Sequence, residues 1–317
     1  MNRHYIFWAH SPIGYETYLA LKQAGIFNAD NSTLITAREF SPPEAALCIG
    51  LPEEYVWQSE EQFQKTQKSI TQLIERLNIN DEGYELFIPQ SANFYIRGLI
   101  ESSFCKSFVF FDEGSSARNL LFKRRCTPGF YKYNIRESEA FEDFVGRLNI
   151  DRQVMIKSYS EGVPFYDVNH SKCAGYVSFF NDVFLGHEVD ILTKVIPTAV
   201  DICSQYGLIL LPPFNYWAKT ADFVKKFQIF LNSVNSIIKL NTKKRWLLKF
   251  HPHDGVDIKN KIASYFPCEL FESFCAKNHI LSYREPAFMG FDCYVGSPNS
   301  TFEFLKHDRH QYIAIPI

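Results

Sequence analysis

The sequence lacks the motifs by which many nucleotide-binding and metal-binding proteins are recognised. No GxGxxG follows the first predicted strand, no GxxxxGK loop is present, and no Asp-x-Asp pair offers a metal clamp. Its eight cysteines form neither a CxxC pair nor a zinc-type spacing, and several lie within apolar runs. We therefore expect cysteines that pack as small core residues in a reducing cytosol.

Long apolar runs are absent as well. No stretch approaches the roughly 20 apolar residues of a membrane span, and the first residues do not have the pattern of a secretory signal. The net charge of −2 argues against a nucleic-acid partner. The short basic runs at 123–125 and 243–245 are most simply solvated faces. A cytoplasmic location is expected, with peripheral contact at the inner membrane left open.

What is present is a long chain with an alternating pattern. Its 317 residues, 46% of them hydrophobic, suffice for two domains. The periodicity predicts a first block with strands at 5–9, 34–36, 85–89 and 107–111 and helices at 15–23, 60–77, 92–101, 117–122 and 139–148. It predicts a second block with strands at 206–211, 246–250, 280–283 and 292–295 and helices at 223–238 and 258–265.

Two such blocks predict an α/β protein of two Rossmann-like domains that face each other across a central cleft. We expect the first domain to span residues 1–185 and the second to span residues 186–317. Between 127 and 187 the pattern is poorer, and we expect the remainder of the first domain and the connection to the second there.

A cationic side chain and an imidazole come together at the end of one predicted strand. Lys249 and His251 are two residues apart and should project to the same side, and Pro252 ends the strand. Singly, each residue is more often structural than functional. Together, at the edge where parallel sheets bind ligands, they indicate a site for a phosphate or another anion.

Hydroxyl groups follow the last predicted strand. Ser297 lies just after it, and Ser300 and Thr301 follow Pro298. Ordinary helix capping explains these residue types equally well. A helix N-terminus with two adjacent hydroxyls is also suited to hold a phosphate.

Two carboxylates stand at the end of the strand predicted at 107–111. Asp112, Glu113 and Gly114 form a polar turn in the simplest reading. A carboxylate at a strand end beside an apolar wall is also suited to accept a proton.

Taken in order, these three motifs resemble those of the bacterial sialyltransferases of GT-B fold, which share a D/E-D/E-G motif, an HP motif and a Ser/Ser-Thr motif. The 138-residue gap from Glu113 to His251 is similar to that of the polysialyltransferase-like members. The family's N-terminal signature loop is partly matched by Ser11-Pro12-Ile13-Gly14.

The resemblance implies an inverting, metal-independent transferase with no cofactor, which moves sialic acid or a related nonulosonic acid from its CMP donor to a glycan of lipooligosaccharide or capsule. The acceptor would bind the first domain and the donor the second. Glu113 would be the general base and His251 the residue that protonates the departing phosphate. The implied donor contacts are Lys249 at the cytosine, Glu285 at the ribose, and Pro252, Ser300 and Thr301 near the phosphate. Asp112, Gly114 and Ser297 would support the site, and Ser11 and Pro12 would contact the acceptor.

Two other functions stay open from the sequence alone. The cluster His251-x-His253-Asp254 has residue types that ligate zinc or manganese in a hydrolase. A non-catalytic nucleotide- or carbohydrate-binding protein is the other, with Tyr216 and Trp217 as candidates for stacking on a sugar.

Overall fold

The chain divides into two compact units, Met1–Val195 and Ile196–Ile317. The computed structural model describes residues 3–37, 41–50, 59–77, 79, 82–113, 117, 125–126, 138–195, 200–214, 220–251, 254–282, 284–297, 301, 305 and 311–315.

The first unit is built on a seven-stranded parallel sheet. Its strands are β1 His4–Ala9, β2 Ser32–Ala37, β3 Ala45–Ile49, β4 Tyr84–Ile88, β5 Cys105–Phe111, β8 Cys173–Ser178 and β9 Asp190–Ile191, and a separate antiparallel pair joins β6 Arg125–Cys126 to β7 Val163–Pro164. The order across the sheet is β3-β2-β1-β4-β5-β8-β9, with every pairing parallel. The chain extends from β1 first toward β3 and then, from β4 onward, in the other direction. The strand order therefore reverses between β1 and β4, and ligands of open α/β sheets bind at such a point.

The helices of this unit are α1 Pro12–Gln23, α2 Glu60–Arg76, α3 Phe94–Glu101, α4 Glu139–Arg147 and α5 Arg152–Glu161. In α2, Phe63, Ile70, Leu73 and Ile74 recur at three-to-four spacing and are buried, and the Ser59 hydroxyl accepts a hydrogen bond from the Gln62 N–H. This helix was predicted from its apolar stripe, and the prediction is confirmed. The core is rich in aromatic rings, because β1 buries Phe7 and Trp8 and β5 buries Phe108, Phe110 and Phe111.

The second unit has a five-stranded parallel sheet. Its strands are β10 Tyr206–Leu210, β11 Arg245–Lys249, β12 Glu269–Leu270, β13 Cys293–Gly296 and β14 Gln311–Ala314, in the order β12-β11-β10-β13-β14. Its helices are α6 Val200–Cys203, α7 Phe223–Leu240, α8 Val256–Ala263 and α9 Phe271–Lys277, with a 3-10 helix at Pro286–Phe288. Here the strand order reverses between β10 and β13. The predicted fold class, α/β with two Rossmann-like units, is confirmed, and the arrangement of the units across a cleft stays a prediction.

Two glycines of the second sheet allow close contacts across β10. A Cβ on Gly296 would lie 2.2 Å from the backbone oxygen of Leu210, and a Cβ on Gly207 would lie 2.5 Å from the Trp246 ring. Real side chains do not tolerate such distances. Glycine is therefore required where β13 and β11 flank β10.

One predicted strand is wrong. Of the segment predicted as a strand near 280–283, residues 280–282 form no strand: the Ile280 N–H donates to the Cys275 oxygen at the end of α9, and the Arg284 N–H donates to the Leu281 oxygen. Residue 283 lies outside the described residues. The outer neighbour of β11 is instead the two-residue strand β12, which begins at Glu269, eleven residues before the predicted strand. The predicted helix at 117–122 lies outside the described residues except for Ala117, which is helical.

No helix within the described ranges combines the length and the apolar character that a membrane span requires.

Candidate functional site

Two polar side chains meet at the carboxyl edge of the first sheet. His10 follows β1, Glu113 follows β5, and β4 lies between these two strands. His10 Nε2 contacts Glu113 Oε2, although 103 positions separate the residues in sequence. Only 2% of the His10 side chain and 8% of the Glu113 side chain are exposed. The pair therefore crosses the end of β4 at the point where the strand order reverses.

Asp112 occupies a different environment from Glu113. Its side chain is fully buried, its Oδ2 accepts a hydrogen bond of 3.3 Å from the Ser178 hydroxyl, and its N–H donates to the Val177 oxygen. Successive side chains of an extended segment point to opposite sides. Asp112 thus joins β5 to β8, while Glu113 reaches His10. Gly114, the third residue of the motif, lies outside the described residues.

The start of α1 packs tightly beside this pair. Pro12 occupies the first turn, where its missing N–H costs nothing. A Cβ on Gly14 would lie 3.0 Å from Cε2 of Phe111 and 3.2 Å from the Ala9 Cβ. Glycine at this position lets the first turn of α1 contact the last residue of β5, two positions before Glu113.

Ser11, at the N-cap of α1, makes no capping hydrogen bond with its side chain. Its Oγ is buried and has no hydrogen-bond partner among the residues that the structure describes. A buried hydroxyl without a partner is costly. Ser11 is therefore able to hydrogen-bond a ligand that carries hydroxyl groups, directly beside His10.

In the second unit, Lys249 ends β11 in a partly buried environment. Its ammonium group lies 4.2 Å from the centre of the Phe271 ring. Burial lowers the pKa of Lys249, while the nearby carboxylates of Glu272 and Glu285 oppose this effect. The structure thus places Lys249 within electrostatic reach of Glu285, and the two residues were predicted to bind the same nucleoside.

Glu285 also has a structural role. It is buried, it stands at the N-cap of the 3-10 helix Pro286–Phe288, and its side chain accepts a hydrogen bond of 3.3 Å from the Ala287 N–H. A cap of this kind holds the carboxylate in one orientation. The predicted contact with a ribose stays a prediction.

His251 and Ser297 lie at one edge of the second sheet. His251 follows β11 and its oxygen accepts a hydrogen bond from the Asp254 N–H. Ser297 follows β13, and Thr301 is buried. Both strands flank β10 and are parallel to it, so His251 and Ser297 share the carboxyl edge. Pro252 and Ser300 lie outside the described residues.

The metal site considered from sequence, His251-x-His253-Asp254, stays untested, because His253 lies outside the described residues. Among the described residues, no three His, Cys, Asp or Glu side chains are grouped so as to hold a metal ion. Tyr216 and Trp217 also lie outside those residues. The predicted meeting of Glu113 with His251 stays a prediction.

His10 is the functional candidate that sequence reasoning missed. It follows a buried strand and a proline comes two positions later, and a strand end followed by a proline is part of what drew attention to His251. The position of His10 at the end of a strand was therefore a signal that the sequence contained. What the sequence could not show was which carboxylate faces this imidazole.

Comparison with known proteins finds likeness in structure alone. No protein-family model matches the chain, and no curated protein matches it. A sialyltransferase from Photobacterium damsela is 13% identical, with a TM-score of 0.49, covering 94% of this chain and 71% of that one. A proposed UDP-N-acetylglucosamine 2-epimerase from Listeria monocytogenes is 10% identical, with a TM-score of 0.45, covering 95% of this chain and 76% of that one.

A glycosyltransferase from Rickettsia africae is 12% identical, with a TM-score of 0.36, covering 99% of this chain and 79% of that one. At such low identity, likeness of fold does not extend to activity. The function of this chain has to be argued from its own residues.

Proposed function

We propose that the chain is an inverting, metal-independent glycosyltransferase that moves sialic acid, or a related nonulosonic acid, from its CMP donor to a hydroxyl of a lipooligosaccharide or capsule glycan. The observation that carries this proposal is the placement of Glu113, a carboxylate held by an imidazole where the strand order of the first sheet reverses. The ordered D/E-D/E-G, HP and Ser-Thr motifs support the choice of donor.

The donor half of the proposal rests on the second unit. Lys249 and Glu285 lie within electrostatic reach of each other and would bind the cytosine and the ribose of CMP. His251 and Ser297 follow strands at the carboxyl edge of that sheet, where phosphates bind in open α/β folds, and Thr301 would hold the phosphate with them. Pro252 and Ser300 complete these motifs in the sequence.

The acceptor half rests on the first unit. Glu113 would take the proton from the acceptor hydroxyl, and the Ser11 hydroxyl beside His10 would hydrogen-bond a neighbouring hydroxyl of the glycan. Pro12 would line the same surface. Asp112 would keep the strand end in place through Ser178 rather than react.

In the proposed reaction the acceptor oxygen attacks the anomeric carbon of the donor sugar from the side opposite CMP. The bond between that carbon and the phosphate oxygen breaks, its electron pair stays on the phosphate, and the configuration inverts. Glu113 receives the acceptor proton, and His251 supplies a proton to the phosphate. Each acid–base step of this kind typically contributes ~10²–10⁴ in rate. No step requires a metal.

The test is release of CMP from a panel of CMP-activated sugars in the presence of candidate glycan acceptors. We expect Glu113→Gln to lower turnover by about 10²–10⁴ while CMP still binds, because the amide cannot accept the proton. The matched control is Glu142→Gln, which changes an exposed glutamate of the same unit that pairs with Arg152. Full turnover in the Glu113→Gln protein would remove this residue from its proposed role.

The same assay separates the other functions. Turnover that persists in EDTA excludes the metal-dependent hydrolase built on His251, His253 and Asp254. CMP binding without transfer to any acceptor would instead identify a non-catalytic nucleotide-binding protein.

A further inference from the structure

We propose that His10 is a positioning residue that fixes the Glu113 carboxylate in the orientation needed to deprotonate the acceptor. This inference rests on the proposed function. His10 belongs to none of the three motifs that led to that function, and its contact with Glu113 is a feature of the folded first unit alone.

The contact bridges strands that are not neighbours. β4 separates β1 from β5, so the two side chains reach each other over the end of β4. Helix α1 packs against the ends of both strands. Gly14 lies so close to the Phe111 ring and to Ala9 that a Cβ on it would touch both. Phe111 and Ala9 are the last residues of β5 and β1. The pair therefore stands on two rigid strand ends that are packed together through α1.

The contact between His10 and Glu113 matters because both side chains are buried. The two side chains are 2% and 8% exposed, and a buried carboxylate or imidazole is costly unless it is hydrogen-bonded. With the proton on Nε2, His10 donates to Oε2 of the ionised carboxylate. That hydrogen bond sets the rotation of the carboxyl group and assigns Oε1 to the incoming hydroxyl.

A base must stand within hydrogen-bond reach of the proton that it removes, and small displacements are expensive in rate. A displacement of about 1 Å can cost about 10²-fold. Removal of the imidazole frees the carboxyl group to rotate. The loss should therefore fall on kcat and leave donor binding, which belongs to the second unit, unchanged.

The experiment combines His10→Ala, His10→Gln and Glu113→Gln with the double variant His10→Ala/Glu113→Gln. We expect His10→Ala to lower kcat by about 10²-fold with the donor KM unchanged. His10→Gln should recover part of this loss, because the amide nitrogen of glutamine can take the place of Nε2. The double variant should be no slower than Glu113→Gln, since a residue that acts only through Glu113 has nothing left to position.

His4→Ala is the matched control. His4 lies at the other end of the same strand and contacts the Thr33 hydroxyl, so its loss perturbs β1 without touching Glu113. Melting temperatures of all variants identify any that fail to fold, and His10→Gln then carries the test.

The results of these measurements distinguish the role of His10 from the proposed function. Wild-type kcat in His10→Ala overturns the positioning role, and so do losses that multiply in the double variant, since His10 would then act independently of Glu113. Wild-type protein that releases no CMP from any donor overturns the proposed function itself, with the role of His10 lost as a consequence. An active wild type with an unaffected His10→Ala overturns the role of His10 alone.

Discussion

Asp112 and Glu113 are consecutive carboxylates with different surroundings. An extended backbone sends them to opposite sides, so Asp112 meets the Ser178 hydroxyl and Glu113 meets the His10 imidazole. A hydroxyl partner holds Asp112 inside the sheet. The imidazole holds Glu113 at the carboxyl edge of the sheet. Of these two neighbouring residues, Asp112 joins two strands and Glu113 is the one that is proposed to react.

The pKa of Lys249 leads to a prediction on stability. Burial lowers this pKa below its usual 10.5, so in the alkaline range up to 10.5 the unfolded chain binds more protons at Lys249 than the folded chain does. The contribution of Lys249 to the free energy of unfolding therefore rises with pH across that range. We expect wild-type protein to gain stability relative to Lys249→Met as the pH is raised from neutral toward 10.5, measured by chemical denaturation.

Taking the difference between the two proteins cancels groups that titrate in the same range, such as the buried thiol of Cys105, whose pKa burial raises to about 12. A difference that stays constant with pH would show that Lys249 is charged equally in both states.

At the scale of elements, helices α3 and α4 contact each other through a glycine. A Cβ on Gly98 would lie 2.4 Å from Cε1 of Phe144, and that ring is enclosed by Phe63, Phe94 and Tyr95. Gly146, in α4, has nothing within 4 Å of the same position. Two helical glycines therefore differ only in what surrounds them.

We expect Gly98→Ala to destabilise the protein by about 1–3 kcal/mol, because the Phe144 ring cannot move aside in a filled core. The matched substitution Gly146→Ala should stabilise it by about 0.5–1 kcal/mol, because alanine restricts the unfolded chain and favours the helix. Denaturant titration of both variants measures these effects. Equal stability of the two would contradict the packing described for α3.

The elements that the sequence predicted correctly are those in which many apolar side chains follow one another or recur at a regular spacing. The apolar stripe of α2 and the apolar residues of β5 are long enough to predict these elements from the neighbouring sequence alone. β12 has two residues and β14 has four, mostly exposed, so their strand character comes from pairing with β11 and β13. β8 is buried along one half only. Pairing of this kind depends on neighbours distant in sequence, which a local pattern does not contain.

At the scale of the whole molecule, each unit has its own sheet and its own reversal of strand order. In the first unit, His10 and Glu113 lie at the carboxyl edge of the sheet, where this reversal occurs. In the second, His251 and Ser297 do so, and Lys249 with Glu285 lies beside it. The proposal assigns acceptor chemistry to the first unit and donor binding to the second.

This division predicts where CMP acts. A ligand that binds only the folded second unit stabilises it, by about 2.7 kcal/mol at a concentration of 100 Kd. Hydrogen–deuterium exchange should therefore slow on addition of CMP in peptides that cover 245–251 and 285–297, with no change at 105–113. Cytidine, which lacks the phosphate, is the control and should protect 293–297 less. Protection confined to 105–113 would reverse the assignment of donor and acceptor units.

The sequence by itself determined the α/β class, the two blocks of strands and helices, and the strand-end residues in which the chemistry is proposed to reside, because hydrophobic period and strand termination are local properties. Only the tertiary structure decided that His10 meets Glu113 and that Lys249 lies near Glu285 and Phe271. Those contacts follow from strand order and from the packing of α1 and α9 against their sheets, which are set by pairings between residues far apart in the chain.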